Sequence, residues 1–226
     1  MAAEASLALG EQVRAQRTAS RIGRVALAFA TAFVILAAAL LLLMTPAWMH
    51  FALVASGGTN ALATPDASLS LSDRTIAELF MGPGTFSGFP ADQASHLRDV
   101  RVLLFGFLGL AAIGGGIIGW RLARAADDPV TWRSIARGGG ALAVLLVVAG
   151  LLAAFAFDIT FETFHRIFFP AGNWSFPLGS LINTLYPLLF WQLCVAAMGT
   201  LGIIGGFIVW FLARRRARAL ERSPAS

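Results

Sequence analysis

The sequence predicts an all-α membrane protein in which four helices cross the bilayer, both termini lie in the cytoplasm and two outer segments carry short interfacial helices. Three observations carry the prediction: four long apolar runs, a mean hydropathy of +0.75 with 58% hydrophobic and only 13% charged residues, and an uneven placement of arginine. Soluble domains carry about 25% charged residues, so a water-soluble core does not account for this composition. A hydrocarbon core about 30 Å thick needs about 20 helical residues, and the runs at about 24–47, 102–120, 138–157 and 188–212 satisfy that length. The whole chain, 1–226, reads as one integral membrane domain with outer segments 48–101 and 158–187.

The orientation follows from charge. The chain has no lysine, and positive charge close to helix ends is retained in the cytoplasm. Arg14, Arg17, Arg21 and Arg24 precede the first span; Arg121, Arg124, Arg133 and Arg137 lie between the second and third; Arg214, Arg215, Arg216, Arg218 and Arg222 follow the fourth. Only Arg74, Arg98, Arg101 and Arg166 remain for the outer face. The basic balance thus reports topology, and nucleic-acid binding is not its explanation. The first span has no small-residue cleavage site close behind it, so it reads as a retained anchor.

Within the first outer segment, SGGTNALATPDASLS reads as a loop. In TIAELF, Thr75 and Glu78 have capping-box spacing and predict a short helix, closed by the glycine and proline break MGPGTFSGFP. After Pro90 no breaker interrupts ADQASHLRDVRVLLF, so a helix is expected to run into the second span with Asp92, His96 and Asp99 on one face. The second outer segment reads as a prolongation of the third span, FAFDITFETFHRIFF. There Asp158, Glu162 and His165 repeat the same spacing, and Phe155, Phe157, Phe161, Phe164 and Phe168 take mostly the other positions. A weak internal repeat, GGIIGWRLAR from Gly115 and GGFIVWFLAR from Gly205, hints at two similar hairpins, each giving one outer histidine. Reuse of glycine packing and a Trp–Arg interface anchor explains that repeat equally well.

Several chemistries lack their residues. Cys194 is the single cysteine and lies in an apolar run, so no intrachain disulfide or CxxC site exists. HExxH and HxH spacings are absent, and no metal or other cofactor is expected. No GxSxG marks a serine nucleophile. Gly106, Gly109, Gly115, Gly119, Gly202 and Gly206 include GxxxG spacings that read as helix packing. His50, in PAWMHFALV, has no flanking acid and reads as structural. His96 has a carboxylate one turn away on either side and His165 has carboxylates one and two turns before it, which leaves acid–base chemistry without a protein nucleophile.

At these residues the chain resembles the bacterial lipoprotein intramolecular transacylases. The resemblance rests on HLRDV from His96 to Val100, FHRIFF from Phe164 to Phe169, WSF from Trp174 to Phe176, and Pro187 followed by Phe190 and Trp191. The chain departs from the family pattern at Ser180, Thr184 and Leu188, where an Asp, an Arg and an acidic residue are expected. The resemblance implies a membrane enzyme of the bacterial cytoplasmic membrane, active on its extracytoplasmic face. Its substrate would be a diacylglyceryl-modified lipoprotein, whose sn-2 acyl chain moves to the α-amino group of its own N-terminal cysteine. On that footing His96 and His165 are the expected catalytic pair, with the choice of base open. Asp99 and Glu162 are expected to orient them, and Arg98 and Arg166 to meet the oxyanion or headgroup-level polar groups. Phe164, Phe168, Phe169, Trp174 and Phe176 are expected to line the substrate. Two other readings of the same residues are a membrane scaffold or carrier with structural histidines, and a phospholipid acyltransferase or hydrolase.

Overall fold

A computed structural model describes residues 2–222, with side chains from residue 20 onward. Arg14 and Arg17, which contribute to the topology, therefore lie outside the described side chains. Among the described residues all regular structure is helical: α1 (Ala2–Leu43), α2 (Pro46–Ser56), a 3-10 turn (Gly58–Asn60), α3 (Pro65–Phe80), α4 (Ala91–Ala125), α5 (Pro129–Phe155), α6 (Phe157–Phe168), α7 (Leu181–Leu185) and α8 (Leu188–Arg222). Among the described residues, four stretches are long and apolar enough to cross a membrane: Ser20–Leu43, Ala91–Ala125, Pro129–Phe155 and Leu188–Arg222. The outward faces of α5 and α8 are apolar, with Leu145, Val148, Leu151, Leu152, Phe207 and Phe211 exposed. A water-soluble protein would bury such residues, whereas lipid solvates them, so the chain is a multi-pass membrane protein.

Local chemistry sets where the helices stop. The first span ends at Leu43, earlier than the expected 47, because Pro46 forces the preceding Thr45 out of helical geometry (φ −73°, ψ 146°) and opens α2 at its first position. Gly57 closes α2 in the left-handed conformation. The expected loop SGGTNALATPDASLS is instead the 3-10 turn and the start of α3. Thr64 accepts a hydrogen bond from Ala67 N at 3.2 Å, and Pro65 takes the first helical position. Thr75 and Glu78 consequently sit inside α3 and cap nothing. The Thr75 hydroxyl donates to the Leu71 carbonyl, while Glu78 accepts from the Thr85 hydroxyl and from Phe86 N at 3.1 Å. Those bonds hold the Glu78 carboxyl below its ordinary titration range and hold Phe86 in its left-handed backbone (φ 50°). α4 runs unbroken from Ala91, as its sequence predicts. The third span is not prolonged: Ala156 (φ −144°, ψ 52°) breaks the chain between α5 and α6 without any Gly or Pro.

The chain forms two compact units. One comprises Met1–Ile35, Leu110–Ala143 and Ile204–Ser226. Within its described residues, Leu27, Ile135, Ala136 and Ala213 form a small core beside Trp132 and Trp210. Helices approach closely through glycines. A Cβ added at Gly138 would stand 2.3 Å from the Ala28 carbonyl oxygen, and Gly139 and Gly206 would each meet the other's carbonyl oxygen at 2.6 Å. The GxxxG expectation is met at Gly206 and at Gly202, where a Cβ would stand 2.4 Å from Leu146 Cδ1, but not at Gly106, Gly109 or Gly119, which face open space, nor at Gly115, whose nearest neighbour is Val34 at 3.9 Å. The two repeat segments end alike: Arg124 lies over Trp120 and Arg214 over Trp210, both at 5.3 Å. Asp128 starts α5 by accepting from Val130 N at 2.9 Å and from the Thr131 hydroxyl, and it pairs with Arg121.

The other unit comprises Leu36–Gly109 and Val144–Ile203. Its core joins Met49, Leu53, Leu71, Leu79, Phe86, Phe89, Leu97, Leu104, Ile182, Leu185, Tyr186 and Phe190. The 3-10 turn meets α7 so closely that a Cβ at Gly58 would lie 2.2 Å from the Leu185 carbonyl oxygen. Every residue of the candidate site belongs to this unit.

Candidate active site

α4 has 35 residues and spans about 52 Å at about 1.5 Å per residue, well beyond a hydrocarbon core of about 30 Å. Its polar beginning, Asp92 to Asp99, is the part with least affinity for lipid. Gln93, His96 and Asp99 are three residues apart and share a face. The chain between α6 and α7 runs back along that face in antiparallel order. Asn173 Nδ2 donates to Asp99 Oδ2 at 2.5 Å, the Phe176 ring stands edge-on to His96 at 5.8 Å, and Ile182 N donates to Gln93 Oε1 at 2.8 Å. Three successive contacts therefore fasten the α6–α7 segment to α4 and deliver its aromatic side chains to the histidine.

His165 reaches the same place from α6, in which it is the one buried residue. The ring centroids of His96 and His165 lie 6.0 Å apart with planes inclined by 34°. His96 is 6% exposed and His165 9%. Aromatic rings close the sides. Phe169 packs against both imidazoles, at 4.8 Å from His96 and 5.6 Å from His165. Phe164 and Trp174 cover His165 at 5.3 and 5.0 Å. Phe168, expected beside them, packs on Phe164 at 4.8 Å.

The tautomer of His165 follows from its partner. His165 Nδ1 lies 2.8 Å from the Phe161 carbonyl oxygen. A carbonyl only accepts, so Nδ1 carries the hydrogen and Nε2 of the neutral ring keeps its lone pair. Burial pushes the His165 pKa below its ordinary value, against a smaller upward pull from that carbonyl. The ring is thus held neutral with a basic nitrogen available. His96 differs, because its Nδ1 is buried and has no hydrogen-bond partner.

The remaining expected residues stand around the pair without bonding to it. Asp99 is bound to Asn173, Glu162 and Arg166 bind each other at 2.6 Å, and Arg98 is exposed on α4. Among the described residues no three His, Cys, Asp or Glu side chains converge on one point. Two members of the site give no sign of their roles in the sequence. The spacing of Phe161 puts it among the packing aromatics, although its carbonyl sets the His165 tautomer and its ring lies 4.1 Å from the imidazole. Asn173 carries no signal beyond its place before Trp174. His50 is not isolated: its Nε2 lies 2.8 Å from Asp73 Oδ1 on α3, an acid 23 residues away that no local pattern could supply.

Comparison with known proteins bears on the fold and on the family. No curated protein sequence matches the chain. Among solved structures, the membrane-integral lipoprotein intramolecular transacylase Lit from Bacillus cereus, solved in meso, is 19% identical, with a TM-score of 0.77 over 90% of this chain and 98% of that one. A histidine-to-arginine variant of the same Bacillus cereus protein is 18% identical, with a TM-score of 0.61 over 93% and 97% of the two chains. At such identity the likeness is one of fold. The family model described as lipoprotein intramolecular transacylase Lit matches residues 62–191, more than half of the chain and a stretch that contains both histidines. The chain belongs to the lipoprotein intramolecular transacylase family.

Proposed function

We propose that this protein moves the sn-2 acyl chain of a diacylglyceryl-modified lipoprotein to the α-amino group of that lipoprotein's N-terminal cysteine, with His96 and His165 as the acid–base pair. The observation that carries this reading is the pair itself: two buried imidazoles 6.0 Å apart, one with its Nδ1 hydrogen committed to a backbone carbonyl. Nucleophile and ester reside in one substrate molecule. Correct positioning then supplies much of the acceleration that a covalent acyl-enzyme would otherwise provide, and the protein must move protons and steady an oxyanion.

His165 is the base. The substrate ammonium first releases one proton to solvent. The neutral amine nitrogen bonds to the ester carbonyl carbon, and His165 Nε2 takes a second N–H proton as that bond forms. The carbonyl π electrons move onto oxygen; their return breaks the bond to the glyceryl oxygen. That oxygen is protonated by His96, which receives the proton held by His165. The products are an amide and a free sn-2 hydroxyl, and both rings regain their starting state. Arg98 and Arg166 meet the oxyanion or headgroup-level polar groups, and Asp99 and Glu162 act on the rings through charge. Phe164, Phe168, Phe169, Trp174 and Phe176 receive the acyl chains. The arginine distribution supports placing this chemistry on the extracytoplasmic face of a bacterial cytoplasmic membrane, with both termini inside.

The test is conversion of a synthetic diacylglyceryl cysteinyl peptide by the purified protein. Substrate and product are isomers, so the readouts are disappearance of the reactive amine and tandem mass spectra that place one acyl chain on nitrogen. The expected result is conversion by the wild type and its loss in His96→Ala and His165→Ala proteins that still fold. Absence of wild-type conversion, with histidine substitutions affecting only melting temperature, would establish the scaffold or carrier reading instead. Consumption of a phospholipid acyl chain would point to the phospholipid enzyme.

A further inference from the structure

Asn173 has an unused oxygen. Its Nδ2 donates to the Asp99 carboxylate at 2.5 Å, and because a carboxylate only accepts, the amide cannot be turned the other way. Oδ1 is therefore the free end of the side chain, and it is buried without a hydrogen-bond partner. Buried acceptors in folded proteins are nearly always satisfied, so such an atom needs an explanation. Its surroundings indicate one. Asp99 lies one turn of α4 beyond His96, whose own Nδ1 is also buried and unpartnered. Trp174, the next residue along, covers the His165 ring at 5.0 Å. An acceptor beside an anion, at the edge of the histidine pair, fits a cationic donor. Within the substrate class proposed above, the esters, the thioether and the glyceryl carbons carry no N–H or O–H. The α-ammonium carries three.

We infer that Asn173 Oδ1, backed by the Asp99 carboxylate, accepts a hydrogen bond from the substrate's α-amino group and presents it to His165 Nε2. The inference rests on the proposed reaction and adds the residue that recognises its nucleophile. It also gives the α6–α7 segment a second purpose. The tie that fastens Asn173 to α4 leaves the amide oxygen as an amine receptor, so the site recognises a free N-terminus before any proton moves. A finished product, whose nitrogen has become an amide with one N–H and no charge, loses most of that interaction and is released.

The test uses an unreactive ligand, so that binding is separated from turnover. A cysteinyl peptide bearing two ether-linked alkyl chains in place of esters is compared with its N-acetylated counterpart, each binding to the full-length protein in detergent. Wild type should prefer the free amine by roughly 10- to 100-fold, the factor carried by a hydrogen bond to a charged group. Asn173→Ala should bind the N-acetylated ligand as wild type does and should show nearly no preference for the amine. Asn173→Ser, which keeps a small polar side chain too short to reach, is the second variant and carries the same expectation. Asp99→Ala, which removes the tie and the charge but keeps the amide oxygen, should lower the preference less than Asn173→Ala. A wild-type preference retained in both Asn173 variants overturns the inference, as does an equal weakening of both ligands, which is the result of a purely structural tie. Failure of the wild type to convert the diacyl ester peptide would count against the proposed reaction and leave this binding comparison to be decided by its own result.

Discussion

Replacing His165 by phenylalanine separates the chemistry of this residue from its packing. The imidazole contacts Phe161 at 4.1 Å, Trp174 at 5.0 Å, Phe164 at 5.3 Å and Phe169 at 5.6 Å between ring centroids. A benzene ring fits the same aromatic surroundings and keeps most of the apolar contact, whereas alanine would leave a cavity. What His165→Phe removes is one hydrogen bond to the Phe161 carbonyl and the basic Nε2. The hydrogen bond contributes about 1 kcal/mol, and that is offset in part because no polar ring has to be buried. Melting temperature should therefore move by only a few degrees. Turnover should fall by about 10² to 10⁴, the usual contribution of a general base, which corresponds to about 2.7 to 5.4 kcal/mol at about 1.36 kcal/mol per decade. The assay is single-turnover conversion of the diacylglyceryl peptide alongside a melting curve of the same preparation. A variant that melts like wild type and retains turnover within a factor of about three would show that His165 is part of the aromatic packing and not the base. A variant that loses both together would leave the base without support and favour a structural histidine.

Acidification should destabilise the fold through the same residue. Burial depresses the folded-state pKa of His165, so below the ordinary value of about 6.5 the unfolded chain binds a proton that the folded chain resists. Stability is greatest above that pH and declines as pH falls toward the depressed folded value, and His165→Phe should shrink the difference in melting temperature between about pH 7 and pH 5. Gly58→Ala should cost about 1 to 3 kcal/mol, typical of overpacking, because its Cβ would meet the Leu185 carbonyl oxygen at 2.2 Å and Leu53 Cδ2 at 2.7 Å; thermal melting that matches wild type would show that the turn and α7 can part without cost. His50→Ala should leave turnover unchanged and lower stability by less than about 1 kcal/mol, since its pairing with Asp73 is partly exposed to solvent; a large loss of turnover would extend the site to α2.

Much of the site is legible in the sequence because it depends on helical spacing and on residue types that lipid rarely tolerates. His96 and Asp99 share a face of α4 whether or not the tertiary structure is known, and the charge and aromatic pattern around His165 marks it without coordinates. What the spacing does not reveal is which partner each polar group takes. Asp99 is within helical reach of His96 and yet bonds to Asn173, 74 residues later. Glu162 is within reach of His165 and bonds to Arg166 one turn along. The break at Ala156 is invisible because FAFDITF contains neither Gly nor Pro; a tertiary preference for the orientation of α6 overrides an unremarkable local sequence. The true start of α3 is obscured for the opposite reason. Thr64-Pro65-Asp66 suits a turn and a helix cap alike, and the packing of Leu71 and Leu79 into the core decides for the helix.

The central claim, that two histidines assist transfer within one substrate molecule, is tested most directly by a double-label crossover. One diacylglyceryl peptide carries an isotopically labelled sn-2 chain, a second carries a labelled peptide, and both are mixed with wild-type protein in bilayers of unlabelled phospholipid. The account predicts that every N-acylated product retains the chain it began with, so that the two labels never meet in one molecule. Product carrying both labels, or product whose acyl chain comes from the phospholipid, would contradict it.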